Sequence, residues 1–244
     1  MKAPRKAKII FITGTDTGVG KTVLTVLLLR HLRQNGVRAI GLKPFCCGSR
    51  DDAIWLQKEC DDELSLSEVN PYYFRQPIAP GAATLKAKKK LRLKEVARQV
   101  ERVADRYECA LVEGVGGLLV PVAGRFLLVD LIETLRCQVI VVGRNCLGTI
   151  NHTLLTTSEL DRRGLRGSAV ILMKNFPADI SQRTNLTILS QYISKERLIE
   201  IPRVSDYPLL TAFSAFDERF LEKAVAKISA LSNVCTRRWR LQRK

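Results

Sequence analysis

The segment KIIFITGTDTGVGKTVLTVLLLRHLRQNG, residues 8–36, constrains the chain more than any other. It begins as a short β-rich run and ends with helical length and a glycine stop at Gly36, and glycines crowd the turn between. Gly18, Gly20, Lys21 and Thr22 close that turn in the manner of a phosphate-binding loop. Glycines permit the turn, successive backbone N–H groups and a helix N-terminus converge on anionic oxygens, the lysine meets phosphate charge, and the hydroxyl can join Mg²⁺. The opening is displaced by one residue. Strict spacing requires glycine at position 15, which is Thr15, and the glycine stands at Gly14 instead. A strand before the loop and a helix after it supply the context the motif needs.

Beyond residue 36, strand and helix patterns keep alternating. VRAIGLKP, CALVEGVGG, QVIVVG, GSAVILMKN and LIEIP read as strands. DDAIWLQKEC, LKEVARQVERVADRY, TINHTLLTTSELDRRG, DISQRTNLTILSQYI and DERFLEKAVAKISALS read as helices. Continuous apolar strands between helices predict an α/β fold of three layers, a mostly parallel central sheet with helices on both faces. Residues 1–244 are expected to form a single domain of the phosphate-loop nucleotide triphosphatase type. Residues from about Cys60 to Lys94 are the least regular and, with their prolines, are expected to form a long loop over the site.

No apolar run reaches the roughly 18–20 residues a membrane span needs. Ile9 to Ile12 is too short for a signal-peptide core, so a cytoplasmic protein is expected. The seven cysteines are scattered, with one adjacent pair and no C-x-x-C, which argues against a disulfide framework and against a zinc site. The formal net charge is +16, and it is local. Residues 1–8, the run KAKKKLRLK at 86–94 and the tail CTRRWRLQRK at 235–244 carry no acid and hold nearly all of the excess. With almost no aromatic interleaving and no nucleic-acid motif, these patches read as solvated surface and a loose tail, and nucleic acid is not an expected partner.

Three further positions carry chemistry. Lys43 ends the second strand, at the edge where ligands bind in open α/β sheets, and can neutralise phosphate or a developing anion. Asp51 and Asp52 open a helix, where an acid can cap the helix or hold a metal. Glu113 ends the strand CALV, as the metal-side carboxylate of phosphate-loop enzymes does. Hydroxyl and carboxylate oxygens suit Mg²⁺. His31 lies mid-helix and reads as structural, and His152 as an orienting residue.

The ordered set GTDTGVGKT, LKPxxxG, VNPYYFRQPIAP, LVEGVGGLLVP, LGTINHTLLT and EIP resembles the dethiobiotin synthetase family, ATP-dependent carboxylases of the biotin pathway. In that family the nucleotide loop starts one glycine earlier than the strict motif. The resemblance implies that 7,8-diaminononanoate, CO₂ and Mg-ATP are converted, through a carbamate and a carbamic-phosphoric anhydride, to dethiobiotin, ADP and phosphate. It implies nucleotide binding by Gly18, Val19, Gly20, Lys21, Thr22, Val23, Asp52, Glu113, Gly114, Val115 and Gly116. Asn175 would meet the adenine in a pocket lined by Pro202, Arg203 and Val204. Thr22, Asp52 and Glu113 would ligate Mg²⁺, and Lys21 and Lys43 would act in catalysis. Thr17, Lys43, Cys47 and the segment Leu147, Gly148, Thr149, Ile150 and Asn151 would bind the diamine, the last across a homodimer interface.

Two positions depart from the family pattern. Cys47 stands where many members carry Ser or Thr, so a weak S–H donor replaces a hydroxyl. Phe176 follows Asn175 where some members carry Asp. Rival readings meet specific objections. Chromosome-partitioning ATPases carry a signature lysine where this chain has Asp16, and cobyrinate-type amide synthases carry a glutamine amidotransferase domain for which the chain has no room. A nucleotide-regulated module that uses the basic patches on nucleic acid is the remaining alternative.

Overall fold

The computed structural model describes residues 7–88, 90–174 and 177–201. Its elements in chain order are β1 (Lys8–Gly14), α1 (Lys21–Gln34), β2 (Ala39–Leu42), β3 (Phe45–Cys47), α2 (Asp51–Glu59), α3 (Leu66–Val69), β4 (Tyr72–Phe74), α4 (Pro80–Lys86) and α5 (Leu93–Ala104). Then follow β5 (Cys109–Gly117), β6 (Pro121–Ala123), β7 (Phe126–Leu127), α6 (Leu128–Leu135), β8 (Gln138–Asn145), α7 (Thr149–Arg162), β9 (Ala169–Lys174), α8 (Gln182–Leu189) and β10 (Leu198–Ile201). The closing helix expected over residues 217–232 and the basic tail lie outside the described residues.

Six strands form one parallel sheet in the order β10-β9-β8-β1-β5-β2. β1 is central and buried along nearly its whole length, which is why its sequence is apolar without alternation. Both faces of the sheet are covered, and the register proves it. Gly41 of β2 faces Leu29 of α1 and Leu56 of α2, since a Cβ there would lie 3.0 Å and 3.2 Å from them. Gly41 pairs with Leu111 of β5. Three residues further on, Gly114 faces Leu128 of α6, 2.8 Å from the corresponding Cβ position. An odd number of steps along a pleated strand changes face, so α1 and α2 lie on one side and α6 on the other. Glu113 lies two steps beyond Leu111 and therefore points to the α1 and α2 side.

Helix ends follow their sequence signals. α1 stops in a Schellman turn: Val37 N–H donates to Leu32 O at 3.0 Å, with Gly36 at φ +73°. α5 buries Val96, Ala97, Val100, Val103 and Ala104, the helical stripe its sequence predicts. No helix among the described residues is long and apolar enough to cross a membrane. Of the described cysteines, Cys46, Cys60 and Cys109 are buried, and Cys47, Cys137 and Cys146 half-buried.

One expectation needs correction. Residues 60–94 are not a continuous loop, because α3, β4 and α4 interrupt them and β4 pairs in parallel with β3. α3 is nucleated by a capping box, in which Glu68 N–H donates to Ser65 Oγ at 3.3 Å and Ser65 N–H to Glu68 Oε2 at 2.9 Å. α4 starts with Pro80 at its first turn. These pieces are too short to produce periodicity. The run around Lys86, Lys88, Lys90, Arg92 and Lys94 is exposed, as expected of solvated charge.

Burial makes a sharp contrast testable. Phe11 of β1 is fully buried between the two helical layers, whereas Leu85 of α4 is 81% exposed. Phe11→Ala is expected to lower the free energy of urea unfolding by about 3–5 kcal/mol. Leu85→Ser is expected to change it by less than about 0.5 kcal/mol.

Candidate active site

The loop between β1 and α1 is shaped by positions that allow no side chain. A Cβ on Gly14 would lie 2.7 Å from Asp16 O and 2.9 Å from Lys21 Nζ. Gly18 and Gly20 have φ +69° and +98°, left-handed values that L-residues avoid. Thr15 N–H donates to Val142 O of β8 at 2.9 Å. Lys21 folds back over the loop, and its Nζ donates to Asp16 O at 2.8 Å. Burial and the nearby Lys43 charge push Lys21 down to about 8, against the pull of Glu113, Asp52 and Asp16.

Beside the loop, four side chains from four elements converge. Lys43 Nζ, 3% exposed, donates to Glu113 Oε1 at 2.5 Å and Gly114 O at 3.0 Å and pairs with Asp52 Oδ2 at 2.9 Å. Thr22 Oγ1 donates to the same Glu113 Oε1 at 2.8 Å and lies beside Asp52. Burial works to lower the Lys43 pKa, but the carboxylates of Glu113 and Asp52 outweigh it and hold the ammonium above the usual lysine range. Burial likewise opposes ionisation of Asp52, yet the Lys43 ammonium and the Thr22 hydroxyl keep it below the carboxylate norm. Asp51, by contrast, stays exposed in the first turn of α2. Of the two acids at that helix start, only Asp52 joins the site.

The short elements after β2 hold Lys43 in place. Its N–H donates to Val69 O at 2.9 Å, and its carbonyl accepts from Asn70 Nδ2 at 2.7 Å. Arg50 Nε in turn donates to Asn70 Oδ1 at 3.1 Å. Phe45 of β3 and Tyr72 of β4 stack at 5.3 Å beneath the site.

A cleft of about 640 Å³ contains this chemistry. Thr17, Gly18, Gly20, Lys21, Thr22, Val23, Lys43, Cys47, Asp52, Glu113, Val115 and Gly116 all line it. Residues 77–80 form its other wall, so the irregular stretch does reach the site, as the sequence suggested. A second cavity of about 580 Å³, lined by Ile10, Cys137, Gln138 and Ala169, opens at the opposite end of the strands and contains none of the expected residues.

Not every expected residue is on the cleft. Val19 is buried, and Gly114 contributes through its carbonyl to Lys43. The segment Leu147, Gly148, Thr149, Ile150 and Asn151 lies at the start of α7 and does not line this chain's own cleft. Asn175, Phe176, Pro202, Arg203 and Val204 lie outside the described residues. Sequence reasoning missed Asn70, although it stands inside the quoted VNPYYFRQPIAP motif, and it placed the irregular stretch over the site without naming residues 77–80. It also missed Arg144 of β8, whose Nη2 donates to Gly18 O at 2.8 Å. His31 is buried in α1 near Asn35 Nδ2 at 3.3 Å, a structural position, and His152 is exposed on α7.

A family model described as an AAA domain matches residues 8–208. The ATP-dependent dethiobiotin synthetase BioD of Anaeromyxobacter sp. (strain Fw109-5) is 36% identical over 89% of this chain and 96% of its own. That of Aquifex aeolicus is 36% identical over 82% and 91%. Among solved structures, a plasmid partition protein from Borrelia burgdorferi bound to AMPPNP superposes with a TM-score of 0.61 over 91% of this chain and 100% of that one, at 14% identity. The MinC:MinD cell division complex of Aquifex aeolicus gives 0.59 over 91% and 96%, also at 14% identity. These two establish the phosphate-loop fold and nothing finer. Full-length similarity to the synthetases goes further, and the chain belongs to the dethiobiotin synthetase family.

Proposed function

We propose that this chain converts 7,8-diaminononanoate, CO₂ and ATP to dethiobiotin, ADP and phosphate. The observation that carries the reading is the convergence of Lys43, Thr22, Asp52 and Glu113 at the mouth of the glycine loop, in one cleft. One substrate amine adds to CO₂, losing a proton and forming a carbamate. A carbamate oxygen then takes the γ-phosphoryl group, and ADP leaves. The second amine attacks the carbonyl carbon, and the C–O bond to phosphate breaks as the ring closes. Lys43 and Lys21 place two ammonium groups where the carbamate and the transferring phosphoryl group carry negative charge, which favours the transition state over the ground state. The loop amides from Gly18 to Val23 orient the polyphosphate.

The same residues fit Mg²⁺. Glu113 Oε2 is buried without a hydrogen-bond partner among the described residues. With the Thr22 hydroxyl and the Asp52 carboxylate beside it, this orphaned oxygen makes a set of hard donors suited to that ion. Bound there, the cation would neutralise charge on the phosphates. Asn175 and Pro202 to Val204 would receive the adenine.

A homodimer completes the reading. Leu147, just before α7, is 81% exposed; Leu155 of α7, one turn beyond Asn151, is 63% exposed; and Ile180, next to the Asp179 that meets Leu147, is 83% exposed. Asp179 Oδ2 accepts the Leu147 N–H at 3.1 Å and fixes this corner. Such an apolar face supports pairing of two copies, which brings residues 147–151 to the partner's cleft.

Four tests follow from these assignments. Full-length protein supplied with diaminononanoate, bicarbonate and Mg-ATP should release dethiobiotin and ADP in equal amounts by mass spectrometry. Absence of substrate-dependent ADP from a folded preparation would sink the assignment. In that assay Lys43→Ala should lose about 100-fold or more in turnover, and Lys43→Arg, which keeps the charge, should lose much of it too. Near-normal turnover in both would remove Lys43 from the chemistry.

Sedimentation should find wild type dimeric and Leu155→Glu monomeric, with diamine turnover lost and ATP binding retained. A monomeric wild type at micromolar concentration ends the dimer reading. Cys47→Ser should hold or lower the KM for the diamine, since the hydroxyl is the better donor. A several-fold rise would instead assign the half-buried sulfur a packing role.

A further inference from the structure

We propose that Arg144 is a positioning residue for the nucleotide loop: it holds the Gly18 peptide in the orientation that presents the Val19 N–H to the β-phosphate. The inference rests on the nucleotide-binding reading above and extends it to a residue outside the loop motif.

The geometry comes from two anchors on one strand. Val142 and Arg144 are two residues apart on β8, on the same side of the sheet. Val142 O receives the Thr15 N–H at 2.9 Å, where the loop leaves β1. Arg144 Nη2 reaches Gly18 O at 2.8 Å, where the loop turns back toward α1. The four residues Thr15 to Gly18 are thus fastened to β8 at both ends. Gly18 has φ +69°, and a Cβ there would stand 3.3 Å from Arg144 Nη2, so the absence of a side chain lets the guanidinium approach.

A trans peptide carries its carbonyl and the following N–H on opposite sides of one rigid plane. Drawing the Gly18 carbonyl toward Arg144 therefore turns the Val19 N–H away from Arg144. Without the guanidinium, a glycine peptide can rotate at little cost, because both left- and right-handed conformations are open to it. The next peptide is braced differently. A Cβ on Gly20 would meet Met173 Cγ of β9 at 3.1 Å, so the end of β9 supports the loop where α1 begins. Arg144 and Met173 are paired residues on β8 and β9. Together they fix the two left-handed glycines from adjacent strand ends.

Other tasks for Arg144 have no support in its surroundings. Among the described residues no carboxylate pairs with it. Glu200 lies on the opposite face of the sheet, where Lys174 at 3.2 Å and Asn145 Nδ2 at 2.7 Å take it. Arg144 is also exposed, so its charge is not required to satisfy a buried acid.

The test uses the full chain as wild type, Arg144→Ala and Arg144→Lys. Calorimetric titration with ADP should show affinity about tenfold weaker in Arg144→Ala, with Arg144→Lys recovering a large part of it. In turnover, the KM for ATP should rise by a similar factor, with kcat at saturating ATP and the KM for the diamine within about twofold of wild type. ADP affinity unchanged in Arg144→Ala overturns the proposal. So does a joint loss of melting temperature, kcat and both KM values, which would mark Arg144 as a merely structural residue. The ADP titration needs no turnover, so it decides Arg144 even if the chain makes no dethiobiotin.

Discussion

The burial of one ammonium organises this molecule. Taking a lysine charge out of water costs several kcal/mol, and the cost is offset only where opposite charges and hydrogen bonds meet it in good geometry. For Lys43 those partners come from elsewhere in the fold: Asp52 from α2 and Glu113 with the Gly114 carbonyl from β5. Thr22 from α1 shares Glu113 with it. A shift of β5 would leave Lys43 without Glu113 and a shift of α2 without Asp52, so the site and the packing of β5 and α2 depend on each other. The cluster of Lys21, Lys43, Asp52 and Glu113 sums to zero formal charge. An arriving triphosphate adds negative charge to it, and among the described residues Glu113 Oε2 has no hydrogen-bond partner.

Much of this was legible in the sequence, for a physical reason. The long elements advertise themselves by period: β1, β5, β8 and β9 as continuous apolar runs, α5 as a stripe. The site's charges stand at strand and helix ends, where the topology of an open sheet brings ligands. What escaped were contacts that no period encodes. The Ser65–Glu68 capping box was present as S-x-x-E but closes a helix of only four residues. The β6–β7 hairpin and α6 followed a stretch read only as part of a motif. Arg144 carries no motif of its own, and its bond to Gly18 arises because β8 lies beside β1 in the sheet.

The fold alone would not have named a reaction. Partition and cell division proteins share it at 14% identity, and fold likeness at that level leaves chemistry open. The discriminating residue is small and local. At Asp16, where partitioning ATPases carry a lysine, the carboxylate accepts its neighbour's Thr17 N–H at 2.6 Å and the carbonyl accepts Lys21 Nζ. An acid in that place shapes the loop from within and offers no ammonium across it. The displaced glycine belongs to the same design, since Gly14 must let Lys21 and Asp16 O approach to within what a methyl group would occupy.

The wall of the cleft facing the glycine loop is built differently from the loop itself. The loop is braced by long strands, whereas Cys47 and the wall at 77–80 belong to β3, β4, α3 and α4, none longer than seven residues. Two strands of three residues have no independent stability and persist only because Phe45, Phe74 and Val69 are anchored in the core. Substitution in such a region is cheap where the side chain stays out of the charge cluster. Cys47 is the last residue of β3, half-buried, with its thiol pKa raised by burial more than the Lys43 charge lowers it. The sulfur therefore stays a neutral thiol in the cleft and leaves the ammonium–carboxylate balance intact. A change at this position therefore leaves the cluster standing, whereas Lys43, Asp52 and Glu113 are each tied to the others' charge.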